Sequence, residues 1–246
     1  MDIGWAAAGF ILGAMAGSFL GAAAMRWPAG RDLGGRSACD QCGRRLNVID
    51  LIPIAGFLIG RGRCATCEGR IDRRHLSIEI AAATIGALAF ALAPGIAGIS
   101  GAIFGWFLLL LGTLDVEHFW LPDRATGLMA LTGVAAGAAG AEPFPNDRLI
   151  GLAAGFLSLW LVGWAYSRLR GREGLGGGDP KLLGAIGAWL GWAVLPFVLL
   201  VAASVGLAAV LSARLAGREV RADTRLPFGP LLAVAGWAVW IVQNGA

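Results

Sequence analysis

Two carboxylates stand where an apolar chain should avoid them. Asp115 closes the run IFGWFLLLLGTLD, and Asp179 stands in REGLGGGDPKLLGAIGAWLGW just ahead of another. A charge at membrane depth is costly, so such a group is a functional candidate by default. Two carboxylates in close contact cannot both ionise comfortably, and they share a proton. The ionised one then draws a proton from water as general base. The protonated one polarises a peptide carbonyl and later aids departure of the amine. Brought together at one membrane face, they would hydrolyse a peptide bond without a metal or a covalent nucleophile. The chain offers no convincing Ser-His-Asp or Cys-His set. Histidine occurs only at 75 and 118, and His118 follows Glu117 without the H-E-x-x-H spacing of a zinc protease.

The neighbours of the two aspartates admit more than one role. Gly176-Gly177-Gly178 lacks the G-x-x-x-x-G-K-[ST] pattern of a phosphate loop. It is expected to supply torsions closed to other residues and close approach for a peptide. Lys181, the sole lysine, either anchors the membrane boundary or supports the site, through a carboxylate or a lipid phosphate. Pro122-Asp123 reads as a helix start, with Asp123 near the positive end of the next span. Glu117 and Glu79 are either interfacial or close enough to tune Asp115 or touch substrate.

The only cysteines form two knuckles, Cys39-x-x-Cys42 and Cys64-x-x-Cys67, with 21 residues between them. This spacing suits a tetrahedral tetrathiolate zinc site, ahead of redox chemistry or cysteines without metal. Gly43 and Gly69 are expected to free the backbone so that the thiolate pairs converge. Four thiolates leave no open position for water, so the metal would be structural. His75 lies outside the knuckles and reads as interfacial.

These groups need a frame, and composition supplies its class. Of 246 residues, 57% are hydrophobic and 15% charged, with mean hydropathy +0.70. A soluble domain carries roughly 25% charged residues. The chain therefore reads as an all-α polytopic membrane protein. Apolar runs occupy 3–25, 78–93, 96–114, 125–141, 149–166, 182–213 and 228–243. About 20 residues cross the hydrocarbon core, so the run 182–213 is split at Pro196 into two short helices. That gives eight transmembrane helices. The first is expected to be retained, since Asp2 leads straight into it with no basic region or clear cleavage site.

Ten of the 20 basic residues fall between Arg26 and Arg74, four between Arg168 and Lys181, and four between Arg214 and Arg225. That is a topology pattern rather than a groove for nucleic acid. It places 27–77, 115–124, 167–181 and 214–227 in the cytoplasm and the amino terminus outside. The connections near 94–97, 142–148 and 196 then face outward and carry one basic residue, Arg148. The cytoplasm is reducing, which favours metal over disulfides at the cysteines. The expected organisation is a first transmembrane helix (1–26), a cytoplasmic four-cysteine zinc-binding domain (27–77) and a seven-helix transmembrane catalytic core (78–246). Both aspartates then lie at cytoplasmic ends of spans. Gly9, Gly13, Gly17 and Gly21 make one smooth helix face. It serves packing within the chain, a homodimer seam or a ligand-facing surface. Gly133 with Gly137, and Gly187 with Gly191, are weaker cases.

Together these residues resemble the type IV prepilin peptidases, polytopic members of the GxGD class of aspartyl proteases. Three segments carry the resemblance: the twin-knuckle loop continuing as GRIDRRHLSIE to Glu79, LDVEHFWLPD, and GLGGGDPKLL. The resemblance implies catalytic roles for Asp115 and Asp179. It implies cleavage of the basic leader of prepilins or pseudopilins at the cytoplasmic membrane face. The cut follows a glycine and precedes an apolar helix. Many members then methylate the new amino terminus with S-adenosylmethionine. The family often reads G-x-F-L-N and then R-L-P. Here the sequence is Gly17-Ser18-Phe19-Leu20-Gly21, then Arg26-Trp27-Pro28. The missing asparagine falls in a region linked to methylation, so the second activity stays open. So do a proton- or cation-coupled transporter built on the acidic pair, and a scaffold whose knuckles bind partners. Expected partners are the prepilin substrate and membrane lipids.

Overall fold

The computed structural model describes residues 3–39, 41–93, 95–172, 174–217 and 227–245. Among these the secondary structure is helical throughout, apart from isolated β-bridges at Ala38–Arg45 and Arg63–Arg70. The helices are α1 (Ile3–Arg26), α2 (Ala55–Ile59), α3 (Arg73–Leu92), α4 (Ile96–His118), α5 (Asp123–Ala138), α6 (Pro145–Arg170), α7 (Asp179–Leu190), α8 (Leu195–Leu215) and α9 (Gly229–Gly245). A 3₁₀ turn at Ile49–Leu51 precedes α2. Helices α1, α3, α4, α6 and α8 are long and apolar enough to cross a membrane. The chain is an all-α, apolar, polytopic membrane protein. Helices α5, α7 and α9 are shorter, at 16, 12 and 17 residues. Twelve helical residues rise only about 18 Å.

The long run 182–213 does divide, but not at Pro196. Gly191 ends α7 at φ 79° and ψ 173°, a backbone conformation essentially confined to glycine. Pro196 sits in the first turn of α8, where its missing N–H costs nothing. The preceding helix starts at Asp179, earlier than the apolar run. Arg218, Arg221 and Arg225 of the expected basic loop lie outside the described residues.

The chain divides into two compact units, Met1–Leu110 and Leu111–Ala246. In the first, α1 packs on α3 along the glycine face. An added Cβ at Gly9 or Gly13 would run into the carbonyl oxygens of Gly86 and Ala82, and one at Gly17 would lie 2.7 Å from the Glu79 Cα. The stripe thus serves packing within the chain. Gly21 ends it, with the His75 Nδ1 3.0 Å from where its Cβ would be. An asparagine at 21 would have to displace that ring.

In the second unit α7 is the core, every residue but Lys181 being buried. Helix α6 meets it through Gly151 and Gly155, whose Cβ positions are taken by the carbonyls of Gly187 and Leu183. Helix α5 meets it through Gly133 against the Ala188 carbonyl, and through the Trp189 indole donating to the Met129 carbonyl at 2.7 Å. Arg148 is no outward-facing loop residue. It is 1% exposed, in the first turns of α6, and donates to the carbonyls of Gly133, Ala141, Glu142, Pro143 and Ala188. Its guanidinium satisfies backbone acceptors of α5, α7 and the α5–α6 connection.

Candidate active site

Asp115 lies in the last turn of α4, which runs on to His118. It is 6% exposed. Its Oδ2 accepts the backbone N–H of Gly229 at 3.1 Å. Gly229 is the first residue of α9, so the carboxylate takes one of the N–H groups that a helix start leaves without an internal partner. The approach is tight: a Cβ on Gly229 would lie 2.6 Å from Oδ2. One turn earlier, Gly112 leaves room for Ala233 and Pro230 of the same helix.

Asp179 opens α7, with Pro180 behind it in the first turn. It too is 6% exposed. The Gly176 backbone lies against its carboxylate, and the Asp179 N–H donates to the Gly176 carbonyl at 3.2 Å. The two aspartates belong to one unit and are joined through α9, which holds Asp115 at Gly229 and packs on α7 where Gly236 faces Ile186. The glycine run works differently from expectation. None of Gly176, Gly177 and Gly178 adopts a positive φ. What they supply is space. Gly178 admits the Leu121 side chain, 2.8 Å from its missing Cβ, and Gly176 admits the Asp179 carboxylate.

Around this pair, Lys181 Nζ binds Asp123 Oδ1 at 2.5 Å, so its carboxylate partner is Asp123. Asp123 is the first residue of α5, preceded by Pro122 as cap. Glu117 is half-buried and faces His118 Nε2 at 3.7 Å. A groove of about 470 Å³ opens between α5, α6 and α7, lined by Thr126, Ala130, Leu152, Phe156 and Gly184, with the Asp123–Lys181 pair at its edge. Glu79 is committed within the first unit. It is buried and accepts the Ile54 N–H at 2.7 Å. Sequence reasoning missed Gly229, whose signal was no more than Phe228-Gly229-Pro230 ahead of an apolar run.

Cys39, Cys42, Cys64 and Cys67 converge, with their sulfurs all within 4.8 Å of one another. Two of the separations are 3.9 and 4.0 Å. A tetrahedral site with metal–sulfur bonds of about 2.3 Å has sulfurs about 3.8 Å apart. The residues therefore fit a metal ion. The two knuckles repeat one backbone pattern. Cys39 N–H donates to the Arg44 carbonyl and Cys64 N–H to the Gly69 carbonyl, at 2.8 and 2.9 Å. Each knuckle needs one left-handed residue. Gly43 supplies it at φ 70°, as expected, but in the second knuckle Glu68 does so at φ 55°. Gly69 instead makes room for the Gln41 side chain. The backbone N–H groups of Cys67 and Thr66, helped by Arg44, pull the Cys64 thiol down, while its cysteine neighbours push Cys67 up, so the charge of the cluster gathers on Cys64. Arg44 also donates to Asp50 Oδ2 at 2.8 Å.

Comparison with known proteins places this arrangement. Residues 102–211 match the family model "Type IV leader peptidase family", and residues 11–93 match "Bacterial Peptidase A24 N-terminal domain". The chain is 38% identical to a prepilin leader peptidase/N-methyltransferase of Aeromonas hydrophila over 203 residues, covering 82% of this chain and 70% of that protein. A protein of the same name from Burkholderia pseudomallei is 41% identical over 82% of this chain and 66% of its own length. One from Pseudomonas aeruginosa is 37% identical, with 82% and 69% covered. No solved structure matches. With matches in both of its units and identity sustained over four-fifths of its length, the chain belongs to the type IV leader peptidase family.

Proposed function

We propose that the chain is an aspartic endopeptidase that removes the leader of prepilins or pseudopilins at the cytoplasmic face of the inner membrane. Asp115 and Asp179 are the catalytic pair. The single observation that carries this reading is two buried carboxylates, on α4 and α7, within one compact unit of an apolar chain. Water attacks the scissile carbonyl. One carboxylate takes its proton while the other, protonated, hydrogen-bonds the carbonyl oxygen and passes a proton to the leaving amine. Gly229 holds Asp115 in place from the backbone. The groove between α5, α6 and α7, with Lys181 two residues beyond Asp179 at its edge, receives part of the apolar segment that follows the cleavage site.

The wider frame follows the same reading. Eight helices cross or enter the bilayer, with the amino terminus outside. Residues 27–77 form a cytoplasmic domain around structural zinc held by Cys39, Cys42, Cys64 and Cys67, and 78–246 form the catalytic core. The sulfur geometry and the all-cysteine donor set support zinc. The relatives' printed names include N-methyltransferase. Methyl transfer from S-adenosylmethionine is the second step this name suggests.

Asp115→Asn and Asp179→Asn should each abolish cleavage of a synthetic prepilin while membrane insertion and metal content stay normal. Full activity in either purified variant overturns the assignment. Mass measurement of the products reads both steps, since methyl transfer adds one methyl group to the new amino terminus when S-adenosylmethionine is supplied.

A further inference from the structure

Between the two knuckles the chain carries VIDLIPIAGFLIG at 48–60. It forms the 3₁₀ turn Ile49–Leu51 and the short helix α2. Six of its eight large apolar side chains do not fold inward, Ile54 and Phe57 being half-buried. Val48, Ile49, Leu51, Ile52, Leu58 and Ile59 are all exposed, from 44% to 79%. A cluster of this kind marks an interaction surface.

Its position identifies the partner. The Ile54 N–H, at the centre of the segment, is bonded to Glu79 Oε2 at 2.7 Å. Glu79 lies six residues into α3, counted from Arg73. At about 1.5 Å per residue that is some 9 Å along the helix. Helix α3 is one of those fit to cross the membrane, and it starts with Arg73 and Arg74 behind the capping Asp72, a charged cluster suited to the surface. With those charges at the headgroups, Glu79 and the segment tied to it reach the headgroup–acyl boundary, about 5–10 Å in. The charges around the segment agree. Among the described residues Arg45, Arg61, Arg63 and Arg70 are exposed beside it, the exposed acids there are Glu68 and Asp72, and Asp72 and Asp50 are occupied by Arg74 and Arg44. An apolar tip with a cationic rim is the composition of an interfacial anchor for anionic lipid.

We propose that residues 48–59 insert into the cytoplasmic leaflet and fasten the metal-binding domain flat on an anionic bilayer. The segment is too short to span and too apolar to stand in water. It lies in the leaflet as an interfacial wedge, continuing the lipid-facing surface of α1 and α3. The Glu79–Ile54 bond sets its depth, and the arginines bind the phosphates.

The test uses the full, metal-loaded chain in nanodiscs containing a phosphatidylglycerol with a diazirine on its acyl chain. After irradiation, adducts are mapped by peptide mass spectrometry. Adducts on 48–59, alongside those on the exposed Phe10 and Phe19 of α1, are the expected result. Labelling of α1 with none on 48–59 overturns the proposal and leaves the patch to a protein partner. In a second arm, Leu58→Asp with Ile59→Asp should lose the 48–59 adducts while keeping those on α1 and the bound metal. Undiminished labelling of 48–59 in that variant likewise overturns it.

Discussion

Gly229 has no side chain, yet it decides how Asp115 stands. Its N–H holds the carboxylate at 3.1 Å, and its missing Cβ leaves the space that the carboxylate occupies. Gly229→Ala should therefore push Asp115 out of place. A displacement near 1 Å in a catalytic group can cost about 100-fold in rate. The expected outcome is a loss of that order in prepilin cleavage, with normal expression and metal content, measured in detergent with a synthetic substrate. Full activity in the variant would mean that Asp115 is placed by something else. The burial of Asp115 and Asp179 and the convergence of the four cysteines were legible in the sequence because their types are out of place in an apolar chain. Gly229 was not, being one glycine among 39 whose partner lies 114 positions away. The second knuckle teaches the same lesson. The sequence suggested Gly69 for the left-handed turn, and Glu68 makes it, because Gly69 is needed to clear Gln41.

At the scale of elements, the glycine face of α1 was readable because its period of four repeats along one helix. Which face it met was not. The structure presses it on α3, backbone against backbone. Gly13→Leu should force that pair apart, at a cost of about 1–3 kcal/mol for overpacking, read as a lower unfolding temperature in detergent. A variant as stable as the parent would show that the helices do not need this approach. Helix α7 was harder to read. Its 12 residues are too few to look like a span, and the apolar run hid the break at Gly191. The burial of Arg148 was also invisible, since nothing local marks a guanidinium that gathers five carbonyls from separate segments.

At the scale of the molecule, two expectations join the metal to the membrane. Cys39→Ser should release the metal and lower thermal stability, because structural zinc contributes apparent binding energies of about 10–16 kcal/mol in zinc-finger peptides. Metal analysis and a melting curve test this, and freshly purified active protein with no metal would sink it. Reporter fusions after residues 60 and 171 should both read cytoplasmic, and one after 142 should read outside. Any other pattern overturns the eight-helix topology. The all-α apolar frame could be read from the composition and the lengths of the apolar runs. The segment at 48–60 could not, because Asp50 and Pro53 interrupt its hydrophobic pattern and only the fold reveals that its apolar side chains stay outside.

The bond between Asp115 and Gly229 also has a bearing on biosynthesis. A ribosome adding about 5–20 residues per second needs on the order of ten seconds to travel from one to the other. Throughout that interval the carboxylate is in the nascent chain without the donor that will orient it. Under the proposed assignment, the enzyme is born without a finished cutting centre, and acquires one only when α9 arrives to lock the acid in position.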